Sequence, residues 1–409
     1  VPATCPVTFD PFDASYLLDP YPTLERLPAA FHSAELDMWV LTRHSDIDAV
    51  FRDPATFSAA IAQDPLFPLS DTARAALGPH FPLPKTMSNN DPPDHARIRH
   101  FTMRAFSARR TAVLEPRVRA AATELVDALP SGEFDLVSAL SHPLPAFMIF
   151  ALIGFPPEDT EVLTSWCGNR MAFSWGRPAL AEQVEIAGNM RRYWEYCTRF
   201  VAERVAEPRD DFTSDLVRWH LDDPDRLTQR EITSIIYGLS FAGHETTTNL
   251  TSNALRRLLE HRDQWTELCA DPSLIPSAVE EALRYDTSVI AWRRITTRDV
   301  SIADVDIPAG SKLLLLLGGA NRDPDRFADP DRFDIHRPDA ARHLAFGKGI
   351  HFCLGAPLAR MELRIVLELL TARTPDLELV PEQTLDFPPN VSFRGPHRLL
   401  LRRTTQEAP

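Results

Sequence analysis

The chain is poor in cysteine. Cys5, Cys167, Cys197, Cys269 and Cys353 are odd in number and irregularly spaced, and no two form a C-x-x-C pair. That spacing suggests neither a disulfide framework nor a zinc cluster, so a metal held by cysteine here would have one protein thiolate. Long apolar runs are also missing. The best stretch, around 313–317, is far shorter than the roughly 18 residues a bilayer crossing needs. The start, Val1-Pro2-Ala3-Thr4-Cys5-Pro6, does not have the charged-then-apolar layout of a secretory signal. Positive charge is in deficit, with 43 Lys and Arg against 57 Asp and Glu and a net charge of −14. Chain-wide binding to nucleic acid or anionic membranes is therefore disfavoured, although a local basic patch stays open. These absences give the expectation of a soluble, cytoplasmic chain without repeats, whose 409 residues suffice for a substantial core.

Glycine is scarce too, at 15 residues, yet three fall in the run Phe346-Gly347-Lys348-Gly349-Ile350-His351-Phe352-Cys353-Leu354-Gly355. Such a backbone can turn tightly and pass close to something large. Cys353 is its only soft group, and a thiolate so placed suits an axial position on iron, where a porphyrin supplies the other donors. A 3.6-residue periodicity over 356–370 puts Cys353 at a helix N-terminus, whose positive end favours negative charge on sulfur. The spacing Phe-Gly-x-Gly-x-His-x-Cys-x-Gly resembles the haem-binding loop of the cytochrome P450 family. The resemblance makes Cys353 the proximal ligand, His351 a haem-propionate contact, and Phe346 a packing partner of the loop.

A second segment reads as one long helix from Thr228, where Glu231 completes a capping box, to about His261. In its middle stands Ala242-Gly243-His244-Glu245-Thr246-Thr247-Thr248. Glycine costs about 1 kcal/mol against alanine in a helix, and threonines compete for backbone carbonyls, so the violation of propensity points to function. The run is similar to the P450 signature Ala/Gly-Gly-x-Glu/Asp-Thr. By that resemblance Ala242 and Gly243 leave room over the porphyrin, Thr246 is the alcohol that bonds dioxygen, and Glu245 relays protons.

Asp94 reads as the cap of another helix, on which His95 and Arg99 share a face. In the family's Asp-x-x-x-His-x-x-x-Arg segment these residues hold a propionate. Arg294 resembles the second propionate arginine. Glu281 and Arg284, three apart, resemble the Glu-x-x-Arg clamp, with Arg332 of Pro330-Asp331-Arg332-Phe333 as its third member. Residues 58–93 carry apolar side chains without a face and are expected to line a pocket. The pocket candidates are Met87, Leu239, Val289, Ile290, Ala291 and Val391. Trp166, Phe173 and Trp175 are either access residues or core. None of the lining candidates is charged, and Arg177 or Arg394 would change that reading by pointing inward. A positive run, Arg104, Arg109, Arg110, Arg117 and Arg119, is either a solvated face or, with Arg360, a docking patch for an acidic electron-transfer partner.

The resemblance covers nearly the whole chain. It implies a mainly α fold with small β sheets, in one domain over 1–409, holding haem b on Cys353. It further implies a monomeric monooxygenase that inserts one oxygen atom from O2 into an apolar or aromatic small molecule. NAD(P)H would supply electrons through ferredoxin or flavin reductase domains. These are separate or fused beyond 409, since the chain starts without Met and ends in a polar tail at 405–409. The alternatives are an H2O2-driven peroxygenase, a non-oxidative isomerase or dehydratase, a haem-based sensor, and a degenerate structural relative. The retained Glu245-Thr246 pair argues against the first, and the retained threonine against the second.

Overall fold

The computed structural model describes residues 7–85, 87–106, 108–168 and 170–403. Cys5, the tail at 405–409 and the side chains of Arg104 and Arg109 lie outside the described residues. The architecture is mainly helical with small sheets, and no helix among the described residues is long and apolar enough to cross a membrane.

The helices that frame the site are α1 (His44–Arg52), α2 (Asp71–Leu77), α3 (Asp94–Thr102), α4 (Ala108–Asp127), α5 (Pro143–Ile153), α6 (Arg170–Trp175), α7 (Leu180–Ala206), α8 (Gln229–Glu260), α9 (Ile275–Tyr285) and α10 (Ala356–Arg373). The capping box forms as expected. Thr228 Oγ1 accepts from Glu231 N at 3.2 Å, and Glu231 Oε2 accepts from Thr228 N at 2.8 Å. From there α8 runs through the middle of the fold, and four of its hydroxyl side chains are satisfied within the helix. Ser240, Thr246, Thr248 and Ser252 each donate to the carbonyl four residues back, which lets hydroxyl side chains sit in a buried helix. Leu363, Ile365, Val366, Leu367 and Leu370 of α10 are fully buried, so this helix anchors the cysteine loop to the core.

A five-stranded sheet flanks the helices, formed by β1 (Ala30–Ser33), β2 (Met38–Leu41), β3 (Phe57–Ser58), β4 (Trp292–Thr296) and β5 (Lys312–Leu315) in the order β1-β2-β5-β4-β3. β2 and β5 pair in parallel with Trp39 opposite Leu313, and β5 and β4 antiparallel with Leu313 opposite Arg294. That register fixes Arg294 at the edge of the site.

Three further segments shape the surroundings of the site. The 58–93 segment is not wholly irregular: Ser70 caps α2 by accepting from Ala73 N at 3.2 Å, and Ala73 and Leu77 pack against Ile186, Ala187 and Met190 of α7. The apolar stretch 134–155 comprises the end of a strand (Gly132–Asp135), a π-helical turn (Val137–Ser141) and α5, which Pro143 opens. The segment 377–400 is mostly irregular, with strands only at Glu378–Leu379 and Leu400–Arg403.

Candidate active site

The cysteine loop is built by backbone geometry. Gly347 and Gly349 have φ of +64° and +67°, a left-handed region that favours glycine. A Cβ on Gly349 would lie 2.2 Å from Phe51 O, so the close approach of α1 also demands glycine there. Cys353 N donates to Phe346 O at 3.0 Å, closing the loop. The Cys353 side chain opens into a cavity of about 690 Å³. Burial pushes the thiol above its ordinary pKa, while the backbone amides of Gly355 and Ala356, then Arg99 and Arg360, push it back down. The helix N-terminus acts in the expected direction, but burial outweighs it.

Across the cavity from this loop lie Ala242, Gly243, Thr246 and Thr247 of α8. Thr246 Oγ1 donates to Ala242 O at 2.6 Å. Glycine at 243 has a second cause: an added Cβ would meet Ile149 Cδ1 of α5 at 2.7 Å, so the missing side chain lets two helices approach. Glu245 is off the cavity wall, and burial alone raises its carboxyl to about 8. His244 Nε2 bonds His142 O at 3.1 Å, and burial holds its pKa down to about 3.

Arg99, Arg294 and His351 line the cavity, and His95 is buried beside His351. The His95 and His351 rings are 4.2 Å apart, and His351 Nδ1 bonds Met87 O at 2.9 Å. Nε2 of both rings is buried without a partner. Arg294 is 2% exposed, donates to Arg293 O at 2.8 Å, and is lowered to about 10 by burial. Arg99 donates to Phe352 O at 2.7 Å. Among the described residues neither arginine forms an ion pair. Asp91, the carboxylate whose field reaches this cluster, is engaged by Ser58 Oγ and by Ala59 N at 2.9 Å. Buried cations with open donors call for anionic oxygens from a bound group. A porphyrin with two propionates, centred over a cysteine, fits this donor set.

The clamp differs from the expectation in its third member. Glu281 and Arg284, both fully buried, form a bidentate pair at 2.7 and 2.8 Å. The second guanidinium on Glu281 is that of Arg337, at 3.2 Å, which also donates to the carbonyls of Ala328, Asp329 and Arg332. The Arg332 side chain is 71% exposed and reaches only Asp334, at 4.0 Å. The tight turn at Asp329, with φ of +45°, brings the Arg332 carbonyl to the clamp and turns its side chain outward.

Of the pocket candidates, Met87, Leu239 and Val289 line the cavity, and Ile290, Ala291 and Val391 do not. Ile290 packs on Gly318, Ala291 O accepts from Ser392 Oγ at 2.7 Å, and Val391 N bonds Trp175 O at 2.9 Å. Ser288, Trp292 and Phe393 take their place on the wall. Phe173 also lines the cavity, whereas Trp175 is core, stacked 5.3 Å from Trp292. Arg177 pairs with Glu35, and Arg394 is turned to Asp286 and the carbonyls of Leu17 and Leu18. A charged wall residue that the sequence reading missed is Arg170 of α6. Of the described side chains in the basic run, Arg110 pairs with Asp215 and Arg119 with Glu368 at 2.7 Å, while Arg360 pairs with Glu280 at 2.5 Å. Arg117 is exposed.

Known proteins share this arrangement. The family model described as cytochrome P450 matches residues 267–385. The monooxygenase PikC of Streptomyces venezuelae is 38% identical over 398 residues, covering 95% of this chain and 92% of its own. The chain belongs to the cytochrome P450 family. It is an enzyme of the haem-thiolate monooxygenase class. Among solved structures, cytochrome P450 CREJ in complex with (4-ethylphenyl) dihydrogen phosphate superimposes with a TM-score of 0.93 at 38% identity, covering 97% of this chain and 99% of its own. An intact type IV self-sufficient P450 monooxygenase superimposes with a TM-score of 0.94 at 40% identity. All of this P450 chain aligns to it, spanning 55% of that longer chain.

Proposed function

We propose that the chain is one haem domain that hydroxylates, epoxidises or O-dealkylates an apolar or aromatic small molecule, with Cys353 as the only protein ligand to iron. The observation that carries this is a cavity-facing thiol with Arg294 and His351 on the same wall, where Arg294 has no ion pair among the described residues and Nε2 of His351 and of the adjoining His95 has no partner. Bound there, haem b supplies the oxygen chemistry. His95, Arg99, Arg294 and His351 would neutralise its propionates, Phe346 would pack against it, and Ala242 would leave space for it.

The chain's own residues manage protons. Thr246 holds a hydroxyl on the cavity wall that is free to exchange its bond to Ala242 O for one to a bound molecule. Glu245, at about 8, binds and releases a proton near neutral pH. Glu281, Arg284 and Arg337 do no chemistry and hold the segment leading to the cysteine loop. Electrons come from NAD(P)H through a ferredoxin or flavin reductase unit, fused or separate. The salt bridges of Arg110, Arg119 and Arg360 leave Arg117 as the described residue of the basic run that is still exposed.

Turnover under isotopically heavy O2 with a reductase system tests this reading. One labelled atom in the product, dependent on electron supply, is expected. Product formed only with added H2O2 would favour the peroxygenase alternative.

A further inference from the structure

The cavity wall carries more positive charge than propionates need. Its lining includes Arg74, Lys85, Arg99, Arg170, Arg294 and Lys348, against Asp64 as the acidic residue, in a chain of net charge −14. Arg99 and Arg294 sit with the histidine pair. Arg74 is engaged with Asp71 at 3.4 Å. Arg170 is different. Its guanidinium carbon lies 4.3 Å from the centroid of Phe241 and 4.8 Å from that of Tyr237, and its Nε is buried without a partner. Among the described residues no carboxylate pairs with it. Tyr237 also lines this wall, and its hydroxyl is likewise buried and unpartnered.

Aromatic faces hold a guanidinium in place and offset part of its desolvation, but they do not satisfy its N–H donors. An ionised group kept this way inside an apolar enclosure is complemented by an oxyanion that accepts two parallel bonds. We propose that Arg170, helped by the Tyr237 hydroxyl, forms an anion subsite, and that the substrate is an apolar molecule bearing one carboxylate or phosphate group. Arg170 is then a specificity-determining residue: it fixes the charged end on α6 and leaves the apolar body directed along Leu239 and Ala242 towards the cysteine side. This rests on the monooxygenase reading only in taking the cavity as the substrate site.

The test is calorimetric titration of the haem-loaded full chain with phenylalkanoic acids of graded length, their primary amides and the matching phenylalkyl phosphates. At least one acid or phosphate should bind about tenfold or more tightly than its amide, as expected of charge-assisted bonds. Arg170→Gln should remove that preference while leaving amide affinity unchanged, and Arg170→Lys should retain part of it. A phosphate binding more tightly than the acid would assign the headgroup as phosphate, and the reverse as carboxylate. Equal affinity of acids, phosphates and amides for the native protein would overturn the proposal, as would a preference that survives in Arg170→Gln. The carbon monoxide spectrum of each protein separates the two levels. A normal thiolate band with no anion preference sinks the subsite alone, whereas a missing band in the native protein sinks the haem-thiolate reading.

Discussion

Replacing each of two arginines by alanine tests the clamp. Arg337 has a 7% exposed side chain, holds one oxygen of a fully buried Glu281, and satisfies three backbone carbonyls in the turn before the cysteine loop. Removing it leaves Glu281 with Arg284 as its remaining guanidinium partner and strips those carbonyls of a donor. Breaking a buried charge pair from one side costs about 3–5 kcal/mol. Arg332 is 71% exposed and its ion-pair contact is at 4.0 Å, so Arg332→Ala should stay within about 0.5 kcal/mol of the native protein. The assay is thermal and denaturant unfolding of the haem-loaded proteins by circular dichroism, with haem retention followed in parallel. At roughly 2 °C per kcal/mol, Arg337→Ala should melt about 6–10 °C lower and release haem earlier. Equal stability of the two variants, or a larger loss in Arg332→Ala, would refute the assignment.

Gly243→Ala should destabilise by about 1–3 kcal/mol, because its Cβ would lie 2.7 Å from Ile149 Cδ1. Combining it with Ile149→Ala should recover part of the loss, and no recovery would mean that the glycine serves the cavity instead. Glu362 is fully buried on α10, both its oxygens are unpartnered, and burial raises its pKa from 4.5 to about 8. The folded state therefore binds the extra proton between those values, and stability falls as pH rises through that window. Glu362→Gln should gain on the native protein progressively from about pH 5 to 8, and a difference that stays flat with pH would contradict this. Glu245→Gln should lower turnover by about 10²-fold or more with the carbon monoxide spectrum unchanged. Unaltered turnover would remove Glu245 from the proton path.

The parts legible in the sequence were those whose cause is local. The spacing around Cys353 depends on backbone conformations that only glycine adopts freely, and the α8 start on a Thr228–Glu231 capping box. Both are written in a few consecutive residues. The fold class followed from the family resemblance those motifs carry. What escaped was set by distant packing. Arg332 and Arg337 are both plausible partners for Glu281 by position, and only the turn at Asp329 decides which side chain enters. Ile290, Ala291 and Val391 are apolar and near the site, yet the seat of Ile290 on Gly318 and the bonds of Ala291 O to Ser392 and of Val391 N to Trp175 O hold them off the wall. Arg170 stands in no motif, and only its seat on the Tyr237 and Phe241 rings of α8 marks it. The short α2 lacks a periodic signature because Ala73 and Leu77 find their burial against α7, a hundred residues on.

The central claim, that Cys353 holds a haem iron as its thiolate, is tested most directly by the absorption of the reduced protein under carbon monoxide. A band near about 450 nm is expected, since thiolate ligation places it there, and it should vanish in Cys353→Ala. A band near about 420 nm in freshly prepared native protein, or a 450 nm band that survives in Cys353→Ala, would contradict the account.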